Sequence, residues 1–206
     1  MLKFYQNFAK ISKKKIDMLN TKQIQLPQDF SKKCEIFTKL ILKYNKVHNI
    51  TGAKNAKQVK ENIDDSIYPL RFLHVEPKNA IDVGTGAGFP GLILATALPA
   101  THWTLFEPIK KKSSFLHLAK SMMSLQNVDI ISQRVEEVEA FKVDLICSRA
   151  VTKTDLLMNI CKKFIDKDTI LLFYKGSSVD EEIRGVENYQ IHKRGNRQYL
   201  FIEDIK

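Results

Sequence analysis

Between Ala80 and Tyr174, short apolar runs alternate with stretches of helical spacing, and this alternation constrains the fold more than any other feature of the chain. Ala80–Val83, His102–Phe106, Val128–Ile131, Val143–Ser148 and Thr169–Tyr174 have strand length and composition. A helix is predicted to start at Pro90, a second to run from about Lys111 to Leu125, and a third to lie near Asp155–Ile165. Strands separated by helices of this length need crossover connections, which gives a parallel, doubly wound α/β sheet of the Rossmann-like kind. The tail breaks the rule. Tyr189–His192 and Gln198–Ile202 flank Lys193-Arg194-Gly195-Asn196-Arg197 and read as a hairpin. The expected sheet therefore has seven strands, mostly parallel, with an antiparallel strand at the C-terminal end.

Ahead of Pro77 the period is different. Phe30, Cys34, Phe37, Leu40, Ile41 and Tyr44 recur at steps of three and four, which predicts an amphipathic helix from Asp29 to Tyr44. After a polar loop around Asn49 to Asn55, a second helix is predicted from about Lys57 to Phe72, with Val59, Ile63, Ile67 and Leu70 inward. The chain thus divides into a helical extension, residues 1–75, and an α/β domain, residues 76–206. The extension is also where the charge sits. Residues 1–60 hold fourteen lysines against three acids, whereas nineteen basic and twenty acidic residues balance in the remainder. Clustering of this kind suits a polyanion, because each phosphate neutralised releases a counterion. A solvated lysine face on a helix would give the same count.

Some classes are disfavoured. No apolar run approaches the roughly 18 residues of a membrane span, and no apolar signal core follows the lysine-rich start. Cys34, Cys147 and Cys161 are odd in number and lack C-x-x-C spacing, as free thiols in a reducing compartment would. The five histidines show no metal-ligand spacing, so no metal site is expected. A soluble, cytoplasmic protein is the expectation.

The chemistry concentrates in Ala80-Ile81-Asp82-Val83-Gly84-Thr85-Gly86-Ala87-Gly88-Phe89-Pro90-Gly91. A buried strand ends, glycines follow at alternate positions, and a helix begins. Glycine permits the sharp turn and the close approach of a ligand, and the N–H groups of a helix start favour an anionic group. Residues 86–91 match the dinucleotide pattern G-x-G-x-x-G, but in the wrong register. That fingerprint begins as the strand ends, yet Gly84 comes first and Phe89 takes the third-glycine place. An acid before G-x-G-x-G suits an S-adenosylmethionine (SAM) turn better. Glu107, at the end of the next strand, can accept both hydroxyls of a ribose, in a SAM enzyme or an NAD enzyme alike.

These residues, with others, resemble the bacterial small-subunit ribosomal RNA guanine-N7 methyltransferases, also called the glucose-inhibited division protein B family. The resemblance is carried by Asn49-Ile50-Thr51, Asp65-Ser66, the phrase Asp82 to Gly91, Lys111-Lys112 with Phe115-Leu116, Arg134-Val135-Glu136, Ser148-Arg149-Ala150 and Lys175-Gly176, with a weaker echo at Arg197. It implies a class I SAM-dependent methyltransferase that modifies N7 of one guanine in the decoding-region loop of 16S rRNA. Naked rRNA or the small ribosomal subunit would be its partner, and a monomer suits docking on such a particle. Asn62 departs from the family's usual histidine, and Gly52 from its usual small residue after Asn-Ile-Thr.

Guanine N7 carries a lone pair and no proton, so its methylation needs positioning and desolvation rather than a general base. The absence of an obvious acid–base pair agrees with that. The expected cofactor contacts are Asp82, Gly84, Thr85, Gly86, Gly88, Phe89, Glu107, Val135, Glu136 and Arg149, with Arg149 also the catalytic candidate. It follows the fourth strand and could grip a phosphate or stack on the base. Asn49, Thr51, Lys111, Lys112, Arg134, Lys175 and Arg197 are the RNA-binding candidates. Three other readings stay open: a SAM-dependent enzyme acting on another RNA, one acting on a protein or small molecule, and an inactive ribosome-assembly factor.

Overall fold

The computed structural model describes residues 25–149, 151–176, 179–183 and 185–204. The lysine-rich first 24 residues and Ala150 of the Ser148-Arg149-Ala150 phrase lie outside the described residues. The helices are α1 (Phe30–His48), α2 (Ala56–Ile67), α3 (Gly91–Ala97), α4 (Lys110–Met122), α5 (Thr154–Cys161) and α6 (Val179–Glu182). The strands are β1 (Asn79–Val83), β2 (His102–Phe106), β3 (Val128–Ile131), β4 (Leu145–Arg149), β5 (Ile170–Lys175), β6 (Tyr189–Arg194) and β7 (Arg197–Ile202). A 3-10 turn at Tyr68–Phe72 extends α2, another at Lys162–Phe164 extends α5, and a third stands at Val135–Glu137.

The seven strands form one sheet in the order β3-β2-β1-β4-β5-β7-β6. The first five are parallel, and β7 runs antiparallel between β5 and β6. From β1 the chain builds outward to β3 and then returns to place β4 on β1's other side. That reversal opens a crevice at the carboxyl ends of β1 and β4, where ligands of doubly wound sheets bind. Register makes the crevice specific. Val83 is level with Phe106 and with Ser148, so Gly84, Glu107 and Arg149 leave three adjacent strands at the same height.

Alternate residues of each strand face opposite layers. Ala80 joins the core under α1, α2, α3 and α4, whereas Ile81 and Val83 join the core under α5. The α1 stripe is buried as its spacing predicts: Phe30, Cys34, Phe37 and Ile41 are inside, with Leu40 and Tyr44 partly so. The Phe37 ring lies 5.2 Å from that of Phe89 and 5.9 Å from that of Phe115. Helices of the 1–75 segment therefore share a core with the sheet, and the change at residue 75 is one of composition rather than of packing. Among the described residues no helix is long and apolar enough to cross a membrane.

Several boundaries shift by one to five residues from the sequence expectation, α1 for instance running on to His48, and three features have local reasons. The helix after the glycines starts at Gly91, not Pro90, and is only 7 residues long. Strand β4 starts two residues later than its apolar run because Asp144 is used as a clamp, its Oδ2 accepting the N–H groups of Lys78 and Asn79 at 2.9 Å. The hairpin turn is Gly195-Asn196. Gly195 has φ +56° at the first central position, as a two-residue turn that follows the strand twist requires.

Candidate functional site

The glycine turn is built from its own backbone. The N–H groups of Gly84 and Thr85 both donate to the Phe106 carbonyl, tying the end of β1 to the end of β2. The Gly88 and Phe89 N–H groups donate to the Thr85 carbonyl. Gly86 donates to Glu107 Oε2 at 2.9 Å, and Ile109 donates to Oε1 at 2.9 Å. Glu107 is thereby fixed, almost wholly buried, and each of its oxygens keeps a lone pair for another donor. Gly86 has φ +63°, and a side chain built there would meet nothing nearer than the Gly84 carbonyl at 3.9 Å. A left-handed backbone with open space above it, beside an anchored carboxylate, fits a nucleoside whose ribose diol would lie on Glu107. After β3 come Val135, which is buried, and Glu136, which is exposed. The Glu136 carbonyl is held at 2.8 Å by Lys163 Nζ, which also reaches the Val138 carbonyl.

Changing Glu107 to Gln replaces one acceptor oxygen by a donor, which cannot pair with a backbone N–H. SAM affinity is expected to fall about tenfold, roughly the worth of one hydrogen bond to a charged group. Isothermal calorimetry with S-adenosylhomocysteine (SAH), beside an unchanged unfolding midpoint, checks this.

Asp82 needs a correction. The sequence places it among the cofactor contacts and leaves the helix-start N–H groups free for an anion. In the structure Asp82 is fully buried beneath the turn, and its Oδ2 accepts the Gly91 N–H at 2.8 Å. The anion at this helix start is the protein's own carboxylate, and Asp82 acts on a ligand through the turn it supports. Burial pushes its pKa up to about 6, against the pull of the Thr85 hydroxyl, the Gly91 N–H and Arg149. Because the folded state holds this proton more tightly than the unfolded chain, Asp82's contribution is most favourable below about pH 4 and is lost as pH rises towards 6. The loss is on the order of 3 kcal/mol for about two pKa units. The Asp82→Asn variant is therefore expected to gain stability relative to the parent between pH 4 and 7. Urea unfolding of both proteins across that range checks it, and a constant difference would contradict it.

Arg149 ends β4 and turns towards the helical layer. Its Nη1 lies 3.1 Å from Asn62 Oδ1 and 3.4 Å from Asp65 Oδ2, both on α2. Its guanidinium stands 5.0 Å from the centre of the Phe89 ring. Burial lowers the Arg149 pKa below its ordinary value, and Asp65 opposes that shift. Asp65 is the hub of this corner. Its Oδ1 accepts from the Tyr199 hydroxyl at 2.8 Å and lies 3.7 Å from Arg197 Nε. One carboxylate thus gathers β4, β7 and α2, and sequence reading gives Asp65 and Tyr199 no individual role.

The remaining candidates separate. Lys111, Arg134 and Arg197 are exposed and Lys112 is half-buried. Asn49 ends α1 in the left-handed conformation with φ 45°, and Thr51 is tied by its N–H to the Asn45 side chain at 2.9 Å. Lys175 is placed otherwise than expected. It is 9% exposed, its Nζ lies 2.7 Å from Glu182 and 3.1 Å from the Thr152 carbonyl, and Glu182 in turn receives the Thr154 N–H and hydroxyl. In this arrangement Lys175 straps the loop after β4 rather than facing outward to a phosphate. Gly84 belongs to the same packing, since a Cβ there would come within 2.7 Å of Val151 on that loop.

Comparison with known proteins follows this geometry. The fold is shared with MtNAS bound to MTA and tNA (TM-score 0.58, 10% identity, 82% of this chain and 71% of that one). It is shared as well with a ribosomal protein L11 methylase from Lactobacillus delbrueckii (TM-score 0.57, 15% identity, 71% and 80%). In sequence the chain is 46% identical over 179 residues to the ribosomal RNA small subunit methyltransferase G of Campylobacter curvus, covering 87% of this chain and 94% of the relative. Against that of Wolinella succinogenes it is 45% identical over 187 residues, covering 91% and 96%. The family model of GidB, rRNA small subunit methyltransferase G, matches residues 31–203. This chain belongs to the GidB family of rRNA small subunit methyltransferases G.

Proposed function

We propose that this protein transfers the methyl group of SAM to N7 of one guanine in the decoding-region loop of 16S rRNA. The carrying observation is the level placement of Gly84, Glu107 and Arg149 on three adjacent strand ends, which supports reading a nucleoside site beside a buried, carboxylate-paired guanidinium. Bound SAM would supply an electrophilic methyl on a sulfonium. The N7 lone pair forms the new N–C bond as the S–C bond breaks towards sulfur. The positive charge passes to the base, and no proton moves. Asp65 offsets the Arg149 charge, so the guanidinium orients a neighbour without placing a bare cation where the base becomes cationic. Lys111, Lys112, Arg134 and Arg197 are RNA-phosphate contacts in this reading, Asn49 and Thr51 shape the mouth of the cleft, and the enzyme docks as a monomer.

The test is transfer of radiolabelled methyl from SAM, offered naked 16S rRNA and purified small subunits separately. Label in a single decoding-loop guanine, cleaved by the N7-specific borohydride and aniline treatment, is the expected result. SAM binding without label in either substrate would overturn it in favour of a protein or small-molecule target or an inactive assembly factor.

A further inference from the structure

The chain leaving β4 is held from both faces of the sheet. Arg149 is level with Tyr174 of β5, and both reach α2, Arg149 through Asp65 and Tyr174 through the Ser66 carbonyl. Lys175 is the next residue of β5, so its side chain goes to the opposite face, where Phe173 joins the core under α5. There it meets Glu182. Glu182 ends α6, which Val179 and the following Ile183 root in that same core.

Three donors converge on one carboxylate oxygen. Glu182 Oε2 accepts Lys175 Nζ at 2.7 Å and both the N–H and the hydroxyl of Thr154 at 3.1 Å. Lys175 carries the hold further back by donating to the Thr152 carbonyl at 3.1 Å. Thr154 opens α5, and Lys153 before it makes no side-chain cap. Glu182 therefore supplies from another element an acceptor that the helix start lacks locally. Val151 lies between this clamp and Arg149.

Burial alone does not hold Val151, which is 43% exposed. Its Cγ2 nevertheless fills the space in front of Gly84, only 2.7 Å from where a Cβ would stand. That contact joins the glycine turn to the loop after β4, at the strand ends where the crevice opens. Resting on the guanine-N7 reading, we infer that Glu182 is a positioning residue for methyl transfer: through Lys175 and Thr154 it holds the loop after β4 so that Val151 walls the crevice at Gly84. Methylation without a general base depends on alignment, and misplacement by about 1 Å can cost roughly a hundredfold in rate.

Glu182→Ala alone would strand a buried ammonium and unsettle the fold, so the pair is replaced together. The experiment is methyl transfer to small subunits by the full chain, read as kcat and KM, beside SAH calorimetry, urea unfolding and the NOE between the Val151 methyls and Gly84. Lys175→Met/Glu182→Leu should lose about tenfold in kcat and lose the NOE, with KM and SAH affinity within about threefold of the parent. Val151→Ala, at an exposed position that leaves the fold intact, should reproduce the kcat loss. Glu182→Gln keeps an acceptor oxygen for both Thr154 donors, and should retain the NOE and lose no more than about threefold in kcat. Unchanged kcat in the double variant or in Val151→Ala overturns the assignment, as does a Glu182→Gln enzyme as slow as the double variant. A raised KM at unchanged kcat would overturn it too, by making Lys175 a phosphate contact. A parent that binds SAH and labels no guanine would instead strike at the guanine-N7 reading, so the two failures are distinguishable.

Discussion

Replacing Gly91 by alanine is expected to destabilise the fold by about 3–5 kcal/mol, combining an overpacked core with a weakened hydrogen bond to a buried carboxylate. A Cβ at this position would stand 2.5 Å from Asp82 Oδ2, 2.5 Å from Leu105 Cδ2 and 2.7 Å from Asp82 Cβ. None of these can step aside easily. Asp82 and Leu105 are fully buried on adjacent strands β1 and β2, directly opposite one another in register. The alternative is for α3 to move outward, but all 7 of its residues are buried. Moving it would also lengthen the 2.8 Å bond from the Gly91 N–H and leave the Asp82 carboxylate with poorer compensation. For a chain of this size the loss corresponds to a fall of roughly 10 °C in Tm. Calorimetric or urea unfolding reads it directly, and a variant within about 1 kcal/mol of the parent would mean that α3 slides freely on the sheet.

Gly91 also marks the limit of what the sequence discloses. The glycine pattern is legible as a turn between strand and helix because it is local: strand, acid, alternating glycines, proline. β2 and β3 begin and end where their apolar runs do, for the same reason. Gly91 itself reads only as the tail of a motif in the wrong register, since its need for a missing Cβ comes from Asp82 and Leu105 across the packing. Lys175 is a similar case. A lysine at a strand end looks like a phosphate contact until Glu182 and the Thr152 carbonyl are seen around its ammonium. Asp65 is the strongest example. Its partners Arg149, Arg197 and Tyr199 lie on two distant strands that only the sheet order brings to α2. No periodicity in the sequence carries that information, and the Asp65-Ser66 pair was visible only through resemblance to a family.

Arg149→Ala is expected to lower kcat about 10²–10³-fold, the cost of removing one preorganised charged donor from an active site, while SAH affinity stays within about threefold of the parent. The separation follows from where the side chain goes. The residues that fit a cofactor, Gly86 and Glu107, are fixed to each other and to Ile109 without Arg149. Arg149 is fixed instead to Asn62 and Asp65 of α2. Its removal leaves Asp65 with Tyr199 and Arg197, so the corner keeps two of its donors and the fold should hold. Lysine at this position should not restore turnover. It supplies the charge but not the planar guanidinium that reaches Asn62 and Asp65 from one edge while standing against Phe89. Single-turnover methyl transfer to small subunits, paired with calorimetry of SAH binding, distinguishes the outcomes. Loss of SAH binding with the unfolding midpoint unchanged would assign Arg149 to the cofactor. Full activity in Arg149→Lys would reduce its role to charge alone, and in that case the paired carboxylate of Asp65 would be expected to work against it.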